Sequence, residues 1–173
     1  MSKEMDLVVT SYHLDVQQQH RLDEPSNLVK WNESSALGID EADRQHKKMV
    51  ELMNEVHRVV HGNRGVSTIT NRLSNLIEFT AVHFRWEEQY LESHRYPDLA
   101  AHRKEHEKLL AELRGYRDSV EISNKRQIDE VVIKLNDWLL KHIEHSDSKY
   151  ARFLQKEGVS ATTQKTKKTL VMG

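Results

Sequence analysis

The chain has 173 residues, with 26 Lys plus Arg against 27 Asp plus Glu; a net charge of -1 gives no global pull toward nucleic acid or anionic lipid. Cys is absent, which excludes disulfides, thiolate metal sites and Cys nucleophiles, and 2 Pro with 6 Gly are too few turn formers for a many-stranded β-sandwich. The count that stands apart is 11 His, the commonest metal-ligating side chain. In chain order, residues 1–30 read as an irregular N-terminal arm, without the apolar core of a signal peptide. From Asp40 on, Met49, Leu52, Met53, Val56 and Val60 recur every three or four residues and predict a helix ending near His61-Gly62. Ile69, Leu73, Leu76, Thr80, His83, Glu87 and Leu91 predict a second helix, closing before Tyr96-Pro97. Leu99, His102, His106, Leu109, Leu113 and Tyr116 predict a third. Ile128, Val132, Leu135, Leu139, His142, Ser146, Tyr150 and Phe153 predict a fourth, with Gly158 placed to terminate it.

Four helices on short loops imply an all-α, antiparallel up-down-up-down four-helix bundle over residues 31–157. Residues 158–173, Thr- and Lys-rich without apolar period, read as a linker-like tail. No apolar run approaches the roughly 20 residues of a membrane span, so no membrane insertion is expected and the expected location is the cytoplasm.

Polar residues fall inside the apolar stripes. His83 with Glu87, and His102 with His106, stand four apart, so each pair shares a helix face and can reach one point. His142 and Asp147 stand five apart, about 140° around an α-helix, so the carboxylate would have to reach sideways to a site that His142 faces. His46 precedes the first apolar stripe at the helical spacing. A lone core histidine is ordinarily bonded to backbone or to another side chain. Five imidazoles and two carboxylates in phase with the core on all four helices carry a burial penalty that a metal removes at once. Seven ligands exceed the four of Zn²⁺ and suit two metals of higher coordination, bridged by the carboxylates; this donor set favours iron, with manganese or zinc compatible.

Trp31, then Gly38-Ile39-Asp40 and Gln45-His46, resembles the opening of bacterial hemerythrin-like proteins. His83-Phe84-x-x-Glu87-Glu88 resembles their second-helix motif. Tyr96-Pro97 followed by His102-x-x-x-His106 resembles the third, and Trp138-Leu139-x-x-His142-Ile143-x-x-x-Asp147-x-x-Tyr150 the fourth. The resemblance spans about Trp31 to Phe153. It implies a non-haem di-iron site that binds O₂. Carried over by position, His102, His106 and His142 would bind one iron and His46 and His83 the other. Glu87 and Asp147 would bridge both with an oxo or hydroxo group, leaving the second iron an open position for O₂. Trp31, Leu139 and Ile143 would line an apolar O₂ pocket, although their spacing is equally that of ordinary core.

The competing chemistries lack their motifs. No His has a Glu three residues before it, as a ferritin-like di-iron oxidase needs, and neither His-Asp nor His-Glu-x-x-His occurs. No catalytic activity is expected of this chain itself. The arm and the tail favour a sensor of O₂ or redox state, the input domain of a longer signalling protein whose output would be a diguanylate cyclase or a chemotaxis receptor. The alternative is a stand-alone O₂ carrier or store. The arm, longer than a minimal family member needs, would cover the bundle end, mediate a homodimer or be disordered. No nucleic-acid partner is expected from the few tail lysines. His57 and His61, four apart at the end of the first helix, read as solvated histidines favoured by the helix dipole.

Overall fold

Apolar residues at three- and four-residue spacing wind the chain into four rods. The computed structural model describes Leu28 and residues 30–62, 64–120 and 125–159. A single 3₁₀ turn, Glu33–Ser35, precedes α1 (Asp40–His61), α2 (Val66–Ser93), α3 (Leu99–Ser119) and α4 (Lys125–Lys141). The fourth rod continues through a π-helical segment, His142–Asp147, into α5 (Ser148–Lys156). Helix α1 packs against α2 and α4, and α2 against α3, as an antiparallel up-down-up-down bundle requires. No described helix is long and apolar enough to cross a membrane. The expected arm, apart from Leu28 and Lys30, and the tail from residue 160 lie outside the described residues.

Local chemistry sets the ends. Asp40, Glu41 and Asp43 lie in the first turn of α1, where the helix dipole favours acids. Asp43 also turns back to accept the Leu37 and Gly38 N–H groups at 2.7 and 3.0 Å. This fixes the left-handed Gly38, φ 74°, at the bend into α1. Helix α2 closes with Tyr96 N–H on Leu91 C=O and Arg95 N–H on Glu92 C=O, each at 3.0 Å. That is the Schellman arrangement, and its left-handed position holds Arg95, φ 55°, rather than glycine. Helix α5 repeats the pattern with Gly158 in that position.

The core is layered along the bundle. One apolar layer joins Met53, Val56, Val60, Leu73, Leu76, Leu113, Val132 and Leu135, all four rods contributing. Leu91, Tyr96, Tyr150 and Leu154 form another, around the ends of α2 and α5. The buried histidines and carboxylates form a polar belt that these apolar clusters flank.

Candidate metal centre

Each rod delivers its share of the belt. Helix α1 supplies His46, α2 His83 and Glu87, α3 His102 and His106, and the π-helical segment His142 and Asp147. All seven are buried, and His46, His83, Glu87 and Asp147 are 0% exposed. The i, i+4 pairs on α2 and α3 share a face because an α-helix brings every fourth residue round to the same side. The fourth rod reaches the same end differently. The sequence reading has Asp147 stretching sideways from an α-helix; instead the turn from His142 to Asp147 is wound wider by one residue. Closing each turn i to i+5 sets residue i+5 nearly above residue i, so both side chains face the belt.

The ligand atoms meet in two overlapping groups. Within each, one atom per residue lies within 4.8 Å of the others: Glu87, His102, His106, His142 and Asp147 in one, His46, His83 and Glu87 in the other. Glu87 Oε2 lies 3.1 Å from both His102 Nε2 and His106 Nε2. Asp147 spans the groups as well, with Oδ1 3.1 Å from His142 Nε2 and Oδ2 3.3 Å from His46 Nε2. His106 Nε2 and His142 Nε2 approach to 3.1 Å.

The hydrogen bonds among these groups leave much of the belt unsatisfied. Both ring nitrogens of His46, Nε2 of His83, Oε1 of Glu87 and both oxygens of Asp147 are buried without a hydrogen-bond partner. An unsatisfied buried polar atom costs roughly 1–3 kcal/mol, and more when charged. Stable proteins do not carry six in one cluster unless something else meets them. Convergent imidazole nitrogens and carboxylate oxygens are the donor set of a transition-metal centre, and the residues fit one. The titration behaviour follows the same crowding. Burial pushes His83 down to about 4 against the pull of Glu87. Burial pushes the Glu87 carboxyl up, but bonding to His102 and His106 outweighs it and holds Glu87 well below the usual carboxylate range. Burial disfavours charge on His142 too, yet Asp147 and Glu87 hold it above its usual value. The Tyr150 hydroxyl, fully buried beside Glu87 and Asp147, is pushed well up by burial first and by those carboxylates second.

Outer side chains aim the imidazoles. Gln45 Nε2 donates to Glu41, so Gln45 Oε1 is left to accept from His83 Nδ1 at 2.8 Å. That bond places the proton on Nδ1 and turns the Nε2 lone pair into the belt. Glu88 Oε1 takes His106 Nδ1 at 2.8 Å, and Phe84 lies flat on the His106 ring, centroids 3.6 Å apart at 2°. Glu105 Oε2 stands 3.6 Å from His142 Nδ1 and accepts the Ser146 hydroxyl at 2.5 Å. Sequence reasoning assigned Gln45, Glu88 and Glu105 no role. Gln45 and Glu88 stand within the motifs and Glu105 outside them, and all three share one positional signal: each directly neighbours a ligand on its own helix, yet faces a ligand on the next.

Leu139 and Ile143 are buried against Met49 and Val50, and half-buried Trp31 packs on that cluster with its ring 6.4 Å from His46. The three residues expected to form one apolar pocket therefore do come together, beside the His46 and His83 group. His57 and His61 lie apart from the belt, eleven residues or more along α1 from His46.

Residues 37–154 match the Hemerythrin HHE cation binding domain. The bacteriohemerythrin of Stenotrophomonas maltophilia is 30% identical over 124 residues, 72% of this chain and 80% of that protein. That of Methylococcus capsulatus is 30% identical over 125 residues, 71% of this chain and 94% of its own length. A crystal structure of wild-type hemerythrin superposes with a TM-score of 0.65 at 27% identity, covering 72% of this chain and 96% of that one. The family implies a non-haem di-iron centre, and a seven-residue belt of the matching donor chemistry lies inside the matched span. The chain belongs to the hemerythrin family.

Proposed function

We propose that the belt holds two iron ions, that the domain binds O₂ there, and that it serves in the cytoplasm as a sensor of O₂ or redox state. Iron supplies the chemistry when bound: the pair exchanges between ferrous and ferric states and takes O₂ as a ligand. His102, His106 and His142 would hold one ion and His46 and His83 the other, with the Glu87 and Asp147 carboxylates placed to serve both. The observation that carries this reading is the unequal grouping. Three histidines gather on one side and two on the other, with Glu87 common to both and Asp147 reaching His46, and the poorer side lies beside Trp31. An incomplete protein ligand set is what a reactive metal site keeps.

The protein's own part is to orient and to exclude. Gln45 and Glu88 fix which ring nitrogen faces inward. Trp31, Met49, Val50, Leu139 and Ile143 keep water from the His46 side. The sensor reading rests on the π-helical segment. It holds His142 and Asp147 together and runs without interruption into α5, so a change in what those two residues hold acts on the winding of the fourth rod. An output domain of the diguanylate cyclase or chemotaxis-receptor kind on the same polypeptide would receive that change, and the parental reading frame tests that part. The buried apolar cluster over His46 favours the second reading, an O₂ carrier or store, because a dry site prolongs the oxygenated form.

The experiment is to load two irons per chain without oxygen, confirm the diferrous state, add O₂ and follow the visible spectrum. A persistent oxygenated spectrum selects the carrier. Rapid passage to the diferric form, with hydrogen exchange in residues 148–156 differing between oxidation states, selects the sensor. Equal exchange in both states sinks the sensor mechanism, and absence of iron or of any reaction with O₂ overturns the site.

A further inference from the structure

The seven belt residues are not equally shut in. His46, His83, Glu87 and Asp147 are 0% exposed, whereas His102 keeps 4% and His142 6%. Two cavities reach these last two between α3 and the π-helical segment. One, of about 260 Å³, has His142 in its wall; the other, of about 110 Å³, has His102. Glu105 and Ser146 line both cavities, and the Ser146 hydroxyl donates to Glu105 Oε2 at 2.5 Å. This one side-chain bond therefore lies on the wall that the two cavities share. We propose that the Glu105–Ser146 pair is the entry site for the belt metal. When the bond opens, the Glu105 carboxylate receives a hydrated divalent ion, Fe²⁺ for this belt, and delivers it to His142 and His102.

An ion needs a polar path, because carrying charge through apolar packing costs far more than carrying it past groups that can bond to it. Among the described residues the other approaches are apolar. The cluster beside Trp31 covers the His46 side, and apolar layers flank the belt along the bundle. The face between α3 and the π-helical segment is the polar one. At about 30 Å³ per water, six waters take roughly 180 Å³, so the larger cavity admits a hydrated ion. The Glu105 side chain is 48% exposed, and its Oε2 stands 3.6 Å from His142 Nδ1, so the carboxylate reaches from solvent to a ligand ring. Lys108 and Lys141 at one rim and Lys149 at the other oppose an arriving cation, and Asp98 offsets them only in part. Capture thus depends on direct ligation by Glu105 and not on a long-range field.

The inference rests on the reading that the belt holds metal, and adds how the metal arrives: on the three-histidine side, while Trp31 covers the two-histidine side. Opening breaks a bond between two side chains and no backbone bond. A hydrogen bond to a charged acceptor holds the closed form by a factor of about ten or more. The same bond closes the path before and after loading, so it slows entry and exit alike and leaves the equilibrium affinity unchanged.

The test times free Fe²⁺, read as its ferrozine colour, during uptake by the metal-free chain and during release from the loaded chain, both without oxygen. Ser146→Ala should speed uptake and release alike by about tenfold or more, with two irons per chain still bound at equilibrium. Glu105→Gln keeps an acceptor for Ser146 but loses the carboxylate, and should slow uptake by about tenfold or more. Faster release with unchanged uptake, in either variant, would make the pair a support for His142 alone and overturn the entry site. Unchanged rates in both variants overturn it too. Val60→Ala, in the apolar layer away from the belt, loosens the fold without touching the pair. If it speeds exchange as much as Ser146→Ala does, exchange follows general loosening and the proposal falls. A parent chain that takes up no iron sinks the metal reading and this route with it, whereas two irons at unmoved rates sink the route alone.

Discussion

Asp147→Asn separates a metal-bridging carboxylate from a merely structural one. Asp147 is fully buried and touches both halves of the belt, His142 through Oδ1 and His46 through Oδ2. Burial and the neighbouring Glu87 carboxylate both push the Asp147 carboxyl up; His142 and His46 outweigh them and hold it below its usual value. The amide keeps the shape while removing one negative charge and one of two oxygen donors. Without metal, relief of the repulsion from Glu87 offsets the lost attraction to His142 and His46. The metal-free variant should therefore match the metal-free parent to within about 1 kcal/mol, the net size of one hydrogen bond.

With metal the balance differs. Loss of an outer partner of a ligand costs about 10–100-fold in metal affinity, so loss of a bridging ligand costs at least the upper figure. By linkage, a hundredfold weakening removes about 2.7 kcal/mol of metal-dependent stability. At about 2–4 °C per kcal/mol for a chain of this size, the melting shift between iron-loaded and chelated protein should shrink by about 5–10 °C. Iron content should fall below two per chain. The assay is paired thermal melts with and without chelator, alongside iron analysis. If Asp147→Asn keeps two irons and the full metal-dependent shift, the bridging assignment is wrong. If the chelated variant is itself strongly destabilised, the carboxylate is structural.

Three further outcomes follow from the same geometry. Gln45→Ala removes the acceptor that fixes the His83 tautomer and should weaken metal binding by about 10–100-fold with the helical circular dichroism unchanged; metal titration checks it. Arg95→Gly relieves a left-handed residue that is exposed, and the one hydrogen bond it gives to the helix end, N–H on Glu92 C=O, is a backbone bond that glycine keeps. Against the entropy cost of glycine, a net gain of about 0.5–1 kcal/mol is expected in a chemical melt. Trp31→Ala uncovers the apolar cluster beside His46 and should shorten the oxygenated lifetime in stopped-flow spectra while iron content stays at two; an unchanged lifetime would remove Trp31 from the pocket.

The bundle and the ligand belt are legible in the sequence for one reason: both obey the helical period. Met49, Leu52, Met53 and Val56 mark the same face of α1 that carries His46, and the i, i+4 pairs on α2 and α3 announce themselves by spacing alone. What the period hides is departure from it. A five-residue step from His142 to Asp147 reads as a sideways reach under α-helical geometry, and nothing in single residues marks the wider winding that turns both inward. Trp31, Leu139 and Ile143 carry an apolar signal that core and pocket share, so only their meeting beside His46 distinguishes them. Arg95 was invisible as a cap because the left-handed position is ordinarily announced by glycine, as Gly158 announces the end of α5.

The outer residues expose a regularity that joins these parts. Gln45 on α1 neighbours His46 but grips His83 on α2. Glu88 on α2 neighbours Glu87 but grips His106 on α3. Glu105 on α3 neighbours His106 but faces His142 on the fourth rod. Each of the first three helices thus supplies a ligand and, in the adjacent position, the side chain that faces a ligand of the next. A residue adjacent to an inward-facing one points about 100° away around the axis, toward the neighbouring helix, so the arrangement follows from helical geometry once the rods pack in this order. A consequence is that the belt is oriented by contacts between helices and not within them. Sliding any one rod disturbs the aim of a ligand on another, which couples the metal geometry to the packing of the whole bundle. The weakest of the three links is Glu105, 48% exposed and 3.6 Å from His142, and it falls where the π-helical segment begins.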